Sequence, residues 1–380
     1  MGAPHFFIIA GEPSGDNLAA GLMRALKTDY PGASFTGMGG PSMVSEGLRS
    51  NYDYSQLQIV GVVQVLTAYG RLKSLMNKLV EEVIEARPQA VFTVDAKGFS
   101  LRFAQALRKR MAETGWQVPI IHMVAPTIWA WGKLRARKFE ANFDALLCLF
   151  PMEPALFDEK AIKTAFVGHY AGFKEDQHYE ARDPHILLMM PGSRRSELSY
   201  ILPTMLEAAN KLVSDGHIRR IILPALPHLS AQIDKALAVY DLPVEVLYDN
   251  GLDTGLKEAG FAFCTSGTAT LELAIASMPA ITGYRVSALN AIIMPALAYI
   301  TDPILPHILL KKKIYPYFFQ SELTAENLLQ AAHELQAGLV QKQTEMQQHA
   351  DELRQLLTNG APDFEASIQK SLSRLFPDGF

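Results

Sequence analysis

Cysteine is scarce in this chain. Only Cys148 and Cys264 occur in 380 residues, each inside an apolar, strand-like run with no other metal-ligating residue at a suitable spacing. That excludes a disulfide framework and a thiolate metal centre and leaves two buried reduced thiols. Long apolar runs are also missing, and no uncharged stretch reaches the length of a membrane span. Phe6–Ala10 is too short for a signal peptide and runs straight into a glycine turn. Charge of one sign is not in excess, since 35 Lys+Arg stand against 39 Asp+Glu for a net charge of −4. With no basic footprint, nucleic acid is not an expected partner. No low-complexity tract occurs. No Gly-Lys-Ser/Thr follows a glycine loop, and no three-glycine dinucleotide fingerprint is present, which removes the P-loop and the nicotinamide fold. What remains is a folded protein, 49% hydrophobic and 19% charged, expected in the cytosol or on a membrane surface. It is too long for one typical core and is expected to form two domains.

The first half reads as alternating strands and helices. His5–Ala10 is a buried parallel strand, followed by Gly11-Glu12-Pro13-Ser14-Gly15-Asp16 and a helix through Leu18, Leu22 and Leu26. A strand passing through a glycine turn into a helix opens a doubly wound α/β domain. Glu12 and Asp16 make this turn acidic, which favours sugar hydroxyls over phosphate; an ordinary turn with a helix-capping Asp is the other reading. Strands are predicted at Ser34–Gly37, Ala90–Asp95, Ile120–Val124 and Ala145–Phe150, with helices at Arg71–Arg87 and Leu101–Thr114. Asp95 ends its strand, at the edge where open parallel sheets hold ligands, and a carboxylate there can accept a proton from an attacking hydroxyl; a structural role is equally open. The stretch 58–79 alternates apolar residues with Arg71, Lys73 and Lys78, which suits either an anionic bilayer face or a core helix with a basic outer side. Trp129 and Trp131, beside Lys133, Arg135, Arg137 and Lys138, line a cleft or brace a loop.

The second half repeats the scheme. His185–Met190 leads into Pro191-Gly192-Ser193-Arg194, and further strands are predicted at Ile221–Leu223, Val244–Leu247 and Phe261–Cys264. Arg194 at a strand end is a natural partner for a diphosphate, because a guanidinium grips two phosphate oxygens at once. After Cys264 the chain breaks into Thr265-Ser266-Gly267-Thr268 and resumes as a helix from Ala269. Backbone N–H groups and the positive end of the helix macrodipole meet there, with hydroxyls on Ser266, Thr268 and Thr270. Glu272, one turn further on, is placed to reach a ribose hydroxyl. A plain helix cap is the alternative for this stretch.

Six segments resemble lipid-A-disaccharide synthases in content and in order: Ala10–Asp16, Gly37–Pro41, Ala125–Trp131, Phe166–His169, Pro191–Arg194 and Ser266–Glu272. The likeness runs from about residue 6 to about residue 320. It implies an α/β protein of GT-B type, with two Rossmann-like doubly wound parallel-sheet domains facing a cleft. The expected divisions are an acceptor-side domain at 1–170 with a membrane-facing segment at 58–79, a UDP-sugar domain at 171–345, and closing helices at 346–380 that pack on the first domain or a partner subunit. The implied reaction is inverting transfer of 2,3-diacylglucosamine from its UDP derivative to 2,3-diacylglucosamine 1-phosphate (lipid X), giving a disaccharide phosphate and UDP. The partners would be those two lipids and the cytoplasmic face of the inner membrane of a Gram-negative bacterium, with a homodimer possible and no cofactor or metal.

Carried over residue by residue, the resemblance makes Asp95, Glu12 and Arg194 catalytic. It assigns substrate contacts to Ser14, Gly15, Gly192, Ser193, Arg194, Ser266, Gly267, Thr268, Thr270, Glu272 and Gln320. The chain departs from the family pattern at Lys97, where a proline is usual, at Tyr170, at His307 in place of Asn, and at Tyr317 in place of Glu. These departures motivate two rival readings: a non-catalytic paralogue that binds a UDP-sugar or lipid, and a different GT-B enzyme acting on a UDP-sugar.

Overall fold

A computed structural model describes residues 3–57, 62–128, 134–174, 182–287 and 302–380; for 55, 62–69 and 134 only the backbone is described. The chain divides into two compact units, Met1–Phe173 together with Leu357–Phe380, and Lys174–Leu356.

The first unit is built on strands whose residues are apolar on both faces. In β1 (His5–Ala10), Phe6, Ile8 and Ala10 enter one core while Phe7 and Ile9 enter the other. A strand buried this way must sit between two helix layers, as in a doubly wound sheet. The other strands are β2 (Ser34–Met38), β3 (Leu48–Ser50), β4 (Ala90–Val94), β5 (Ile120–Met123), β6 (Ala145–Cys148) and β7 (Lys163–Phe166). They pair in parallel in the order β3-β2-β1-β4-β5-β6-β7. Helices α1 (Pro13–Asp29), α2 (Pro41–Ser45), α3 (Val62–Ala86), α4 (Lys97–Thr114) and α5 (Leu134–Glu140) connect them.

The second unit repeats the topology. Strands β8 (Asp183–Met190), β9 (Arg220–Pro224), β10 (Val244–Leu247), β11 (Ala259–Thr265), β12 (Ala280–Tyr284) and β13 (Tyr317–Phe319) pair in parallel in the order β10-β9-β8-β11-β12-β13. Its helices are α6 (Arg195–Ser214), α7 (Ser230–Leu237), α8 (Gly251–Glu258), α9 (Ala269–Ile275), α10 (Leu305–Leu310), α11 (Ala325–Ala337) and α12 (Leu339–Leu357). Leu187, Met189, Phe261, Phe263 and Ile281 form a core with Leu198, Met205 and Leu328 of the covering helices.

The last helix, α13 (Phe364–Leu375), returns to the first unit. Phe364, Ile368, Leu372 and Leu375 are buried in the core that holds Phe6 and Ile8. The Asp363 carboxylate caps the helix by accepting from Ala366 N at 2.7 Å. The His169 N–H donates to the Leu357 carbonyl at 2.9 Å and holds the connection in place.

Both sheets therefore reverse strand order once, between β1 and β4 and between β8 and β11. Ligands of open α/β sheets bind at the carboxyl ends of the strands flanking such a reversal. The segments that follow those four strands carry Glu12–Gly15, Asp95, Gly192–Arg194 and Ser266–Thr268.

Candidate active site

At the first reversal, Asp95 and the Gly11–Gly15 turn lie side by side. A Cβ added to Gly15 would fall 3.2 Å from the Val94 carbonyl oxygen and 3.4 Å from the Asp95 Cβ. The backbone is strained here: Asp95 has φ 52°, Ala96 φ 42° and Val124, at the neighbouring strand end, φ 83°. Left-handed geometry at three non-glycine residues, one of them β-branched, marks a site that the surrounding structure holds against its local preference. The Asp95 N–H donates to Met123 O at 3.0 Å, and its carbonyl accepts from Ser100 Oγ at 2.8 Å. Those bonds fix the main chain and leave the carboxylate, 20% exposed, beside Lys97 Nζ at 3.7 Å.

The two acids of the glycine turn have different fates. Glu12 sits exposed at the N-cap of α1, and Ser14 is exposed beside it. Asp16 is only 2% exposed, and its carboxylate accepts from Gly40 N at 2.8 Å, Ser42 N at 2.8 Å and Met43 N at 3.1 Å. It caps the start of α2 from outside that helix, so the capping reading holds for Asp16 and the acidity of the turn rests on Glu12.

Beneath this edge, His122 is fully buried between Phe139 and Phe143, with Nδ1 on Thr93 Oγ1 at 2.7 Å. Burial, and then the Lys97 charge, push its pKa down to about 3, so the ring is neutral. Both cysteines are buried, and burial raises their thiols above the ordinary range, which keeps them inert.

At the second reversal the loop after β8 is organised by Glu197. Its carboxylate accepts from Ser193 N at 3.0 Å and Arg194 N at 3.2 Å, and pairs with Arg194 Nη1 at 2.9 Å. Gly192 has φ 115°, and a Cβ there would strike Glu197 Oε2 at 2.5 Å, so glycine is required at this position. The Ser193 and Arg194 amides are thus already engaged by Glu197. The Arg194 side chain remains 65% exposed. A carboxylate three residues after the N-cap is the signal by which sequence alone would have found this.

Across the reversal, Gly267 and Thr268 are exposed at the start of α9, and Ser266 is half-buried. Thr270, expected as a ligand donor, is fully buried, and its hydroxyl donates to Gly267 O at 2.7 Å. It shapes the turn and faces away from solvent. Glu272 is half-buried one turn on, and its charge reaches the Cys264 thiol. Tyr317 is hydrogen-bonded to Ser266; burial and then the Asp302 carboxylate push its phenol above the usual range.

Gln320 has φ 52°, and its Oε1 accepts from Val286 N at 3.3 Å, while Nε2 is buried with no hydrogen-bond partner among the described residues. Arg285, which sequence reasoning passed over, holds this corner. Its Nε donates to Gln320 O at 3.2 Å, Nη1 to Thr204 Oγ1 at 3.2 Å, and Nη2 to Leu323 O.

The remaining departures read as structural. His307 is buried, with Nδ1 on Asp302 Oδ2 at 2.8 Å and Nε2 accepting from Tyr315 N at 3.0 Å. Both ring nitrogens are used, and the acceptor at Nε2 places the proton on Nδ1. Tyr170 packs at a tilt on His169, with ring centroids 4.5 Å apart, and the His169 ring stacks on Phe150 at 5.2 Å. Trp129 and Trp131 lie outside the described residues, as do 58–61 and 288–301. Within the predicted membrane-facing stretch, Leu75 and Leu79 are buried in the core, with Arg71, Lys73 and Lys78 exposed. For those residues the arrangement is a core helix with a basic outer side. No helix among the described residues is long and apolar enough to cross a membrane.

A family model described as Lipid-A-disaccharide synthetase matches residues 6–371. A relative from Alcanivorax borkumensis, named lipid-A-disaccharide synthase, is 34% identical over 342 residues, covering 87% of this chain and 87% of its own. One of the same name from Rhodospirillum centenum is 33% identical over 341 residues, covering 87% and 84%. Among solved structures, a putative UDP-N-acetylglucosamine 2-epimerase from Listeria monocytogenes aligns over 100% of this chain and 98% of its own with a TM-score of 0.62 at 16% identity. A MurG from Acinetobacter baumannii aligns over 97% and 98% with a TM-score of 0.53 at 16% identity. At such identities the structural likeness concerns the fold alone, and that fold is GT-B.

Proposed function

The chain belongs to the lipid-A-disaccharide synthase family, and from that premise we propose a chemistry for its two strand-order reversals. The protein is a glycosyltransferase that makes the lipid A disaccharide from a UDP-sugar. It transfers 2,3-diacylglucosamine from UDP to the 6-hydroxyl of 2,3-diacylglucosamine 1-phosphate with inversion at the anomeric carbon. One observation supports the assignment of roles above the rest: each sheet carries its candidate residues at its own reversal, with Asp95 against Gly15 in the first unit and Arg194 with Ser266–Thr268 in the second.

In this reading Asp95 takes the proton of the acceptor hydroxyl as its oxygen attacks the anomeric carbon, with Glu12 on the same edge. The bond from that carbon to the diphosphate breaks, and its electron pair leaves on UDP. Arg194 and the α9 start meet the growing negative charge, which lets the protein work without a divalent ion. Glu272 reaches the ribose, and Gln320 lies close to the nucleotide. The testing experiment is UDP release in the presence of both lipids, with and without chelator. Release that needs both lipids and survives chelation is the expected result; no release, or release abolished by chelator, rejects this chemistry.

Because both substrates are diacylated, we place the protein on the cytoplasmic face of the inner membrane, with Arg71, Lys73 and Lys78 and the exposed Lys311–Lys313 as its cationic contacts. Flotation with anionic vesicles at low salt tests this, and protein left at the bottom of the gradient rejects it.

A further inference from the structure

Lys97 has no part in the reaction as written above, yet its position is unusual in three ways. It opens α4 as a cation at the positive end of the helix macrodipole, and no acidic residue stands in that first turn to offset it. Among the described residues its ion-pair partner is the Asp95 carboxylate at 3.7 Å, beyond hydrogen-bond reach, with the lysine side chain 33% exposed. Such a loose, hydrated pair contributes little to stability and exchanges readily. Lys97 also follows directly on the left-handed Asp95 and Ala96, so its backbone is held at the strand edge.

A cation in this position bears directly on a base. Lys97 Nζ stands 3.7 Å from Asp95 Oδ1 and competes with the acceptor hydroxyl for that oxygen, so the resting pair hinders the step assigned to Asp95. A ligand anion that draws Lys97 away removes the hindrance. We propose that Lys97 binds the phosphate monoester of the acceptor, exchanging Asp95 for it, and thereby makes that phosphate a requirement for transfer. The inference rests on the reading of Asp95 as the base. On binding, the phosphate oxygens take the Nζ donors, and the freed carboxylate accepts the proton of the acceptor hydroxyl. The hydroxyl oxygen bonds to the anomeric carbon, and the bond to UDP breaks with its electron pair on the leaving diphosphate. An acceptor without the phosphate leaves Lys97 on Asp95 and reacts slowly. Lysine suits this exchange better than arginine, since it is a compact point charge on a flexible stem.

The experiment measures UDP release by the full-length protein with two acceptors, 2,3-diacylglucosamine 1-phosphate and the same lipid lacking phosphate. Wild type, Lys97→Met and Lys97→Arg are compared at fixed donor concentration, and the donor KM is measured separately for each. The wild type is expected to favour the phosphorylated acceptor by about a hundredfold in kcat/KM, an order of magnitude set by charged contacts to phosphate. Lys97→Met is expected to lose at least about tenfold of that preference, mostly through acceptor KM, with donor KM unchanged; Lys97→Arg retains most of it. If Lys97→Met keeps the wild-type preference, or slows both acceptors equally, the phosphate contact is overturned while the glycosyltransferase reading stands. A wild-type protein that releases no UDP with either acceptor overturns both.

Discussion

Gly15 lies against Val94 and Asp95 across the strand-order reversal of the first sheet: a methyl group on Gly15 would crowd the Val94 carbonyl oxygen at 3.2 Å and touch the Asp95 Cβ at 3.4 Å. The glycine is helical, so alanine would gain about 1 kcal/mol of propensity, and the crowding costs about the same. Gly15→Ala is therefore expected to melt near the wild-type temperature. Displacement of the base by a fraction of an ångström lowers turnover by about ten- to a hundredfold. Paired melting curves and UDP-release rates check this, and unchanged turnover would show that the contact does not position Asp95.

Arg194 is the opposite case, a site residue with little structural duty. Its side chain is 65% exposed, and the loop around it is held by backbone bonds to Glu197. Arg194→Ala is expected to change stability by less than about 0.5 kcal/mol. Its kcat falls about a hundred- to a thousandfold, the usual effect of removing one donor to a leaving oxyanion. Steady-state kinetics together with a chemical denaturation curve separate the two effects.

Asp16 carries the reverse prediction. Three backbone amides lose a charged acceptor in Asp16→Asn, and the carboxylate is almost fully enclosed. The expected loss is about 3 kcal/mol, seen as a lower denaturant midpoint at unchanged slope. A variant as stable as wild type would mean that α2 is held by other contacts.

Much of the fold was legible before the structure. His5–Ala10 and Val244–Leu247 were found with their observed ends, the first because a continuous apolar run between turn signals leaves few choices, the second because Val244 and Val246 alternate with Glu245. Short strands escaped: Leu48–Ser50, Lys163–Phe166 and Tyr317–Phe319 have three or four residues, and edge position replaces hydrophobicity as their determinant. The closing region holds three helices, Ala325–Ala337, Leu339–Leu357 and Phe364–Leu375, and the break at Gly338 is hard to see in a stretch that stays helical in composition.

The candidate site was partly legible. Strand-end position alone picked out Asp95 and Arg194, because it is a local property. The burial of Thr270, the capping by Asp16 and the bracing by Arg285 depend on residues 24 to 81 positions away or on side-chain direction, and a linear pattern does not carry those.

His122 supplies a pH test of the first sheet. Its pKa lies near 3 in the folded protein, below the ordinary value of 6.5, because burial and then Lys97 disfavour the charged ring. The unfolded chain therefore binds one more proton between those values, so stability falls as pH drops through the window and is recovered above about 6.5. The slope from this residue is about 1.4 kcal/mol per pH unit at most. His122→Phe is expected to flatten the dependence of stability on pH between about 6 and 4 relative to wild type. Parallel slopes for the two proteins would place the acid sensitivity in the carboxylates.

The most direct test of the account is the rate of UDP release by Asp95→Asn with both lipid substrates present. Asparagine keeps the size of the side chain and tolerates the left-handed backbone at φ 52°, so the fold is expected to stay intact by circular dichroism. The account predicts a loss of about a hundred- to ten-thousandfold in turnover, the range for removing a general base. A folded Asp95→Asn protein that releases UDP at the wild-type rate would contradict it.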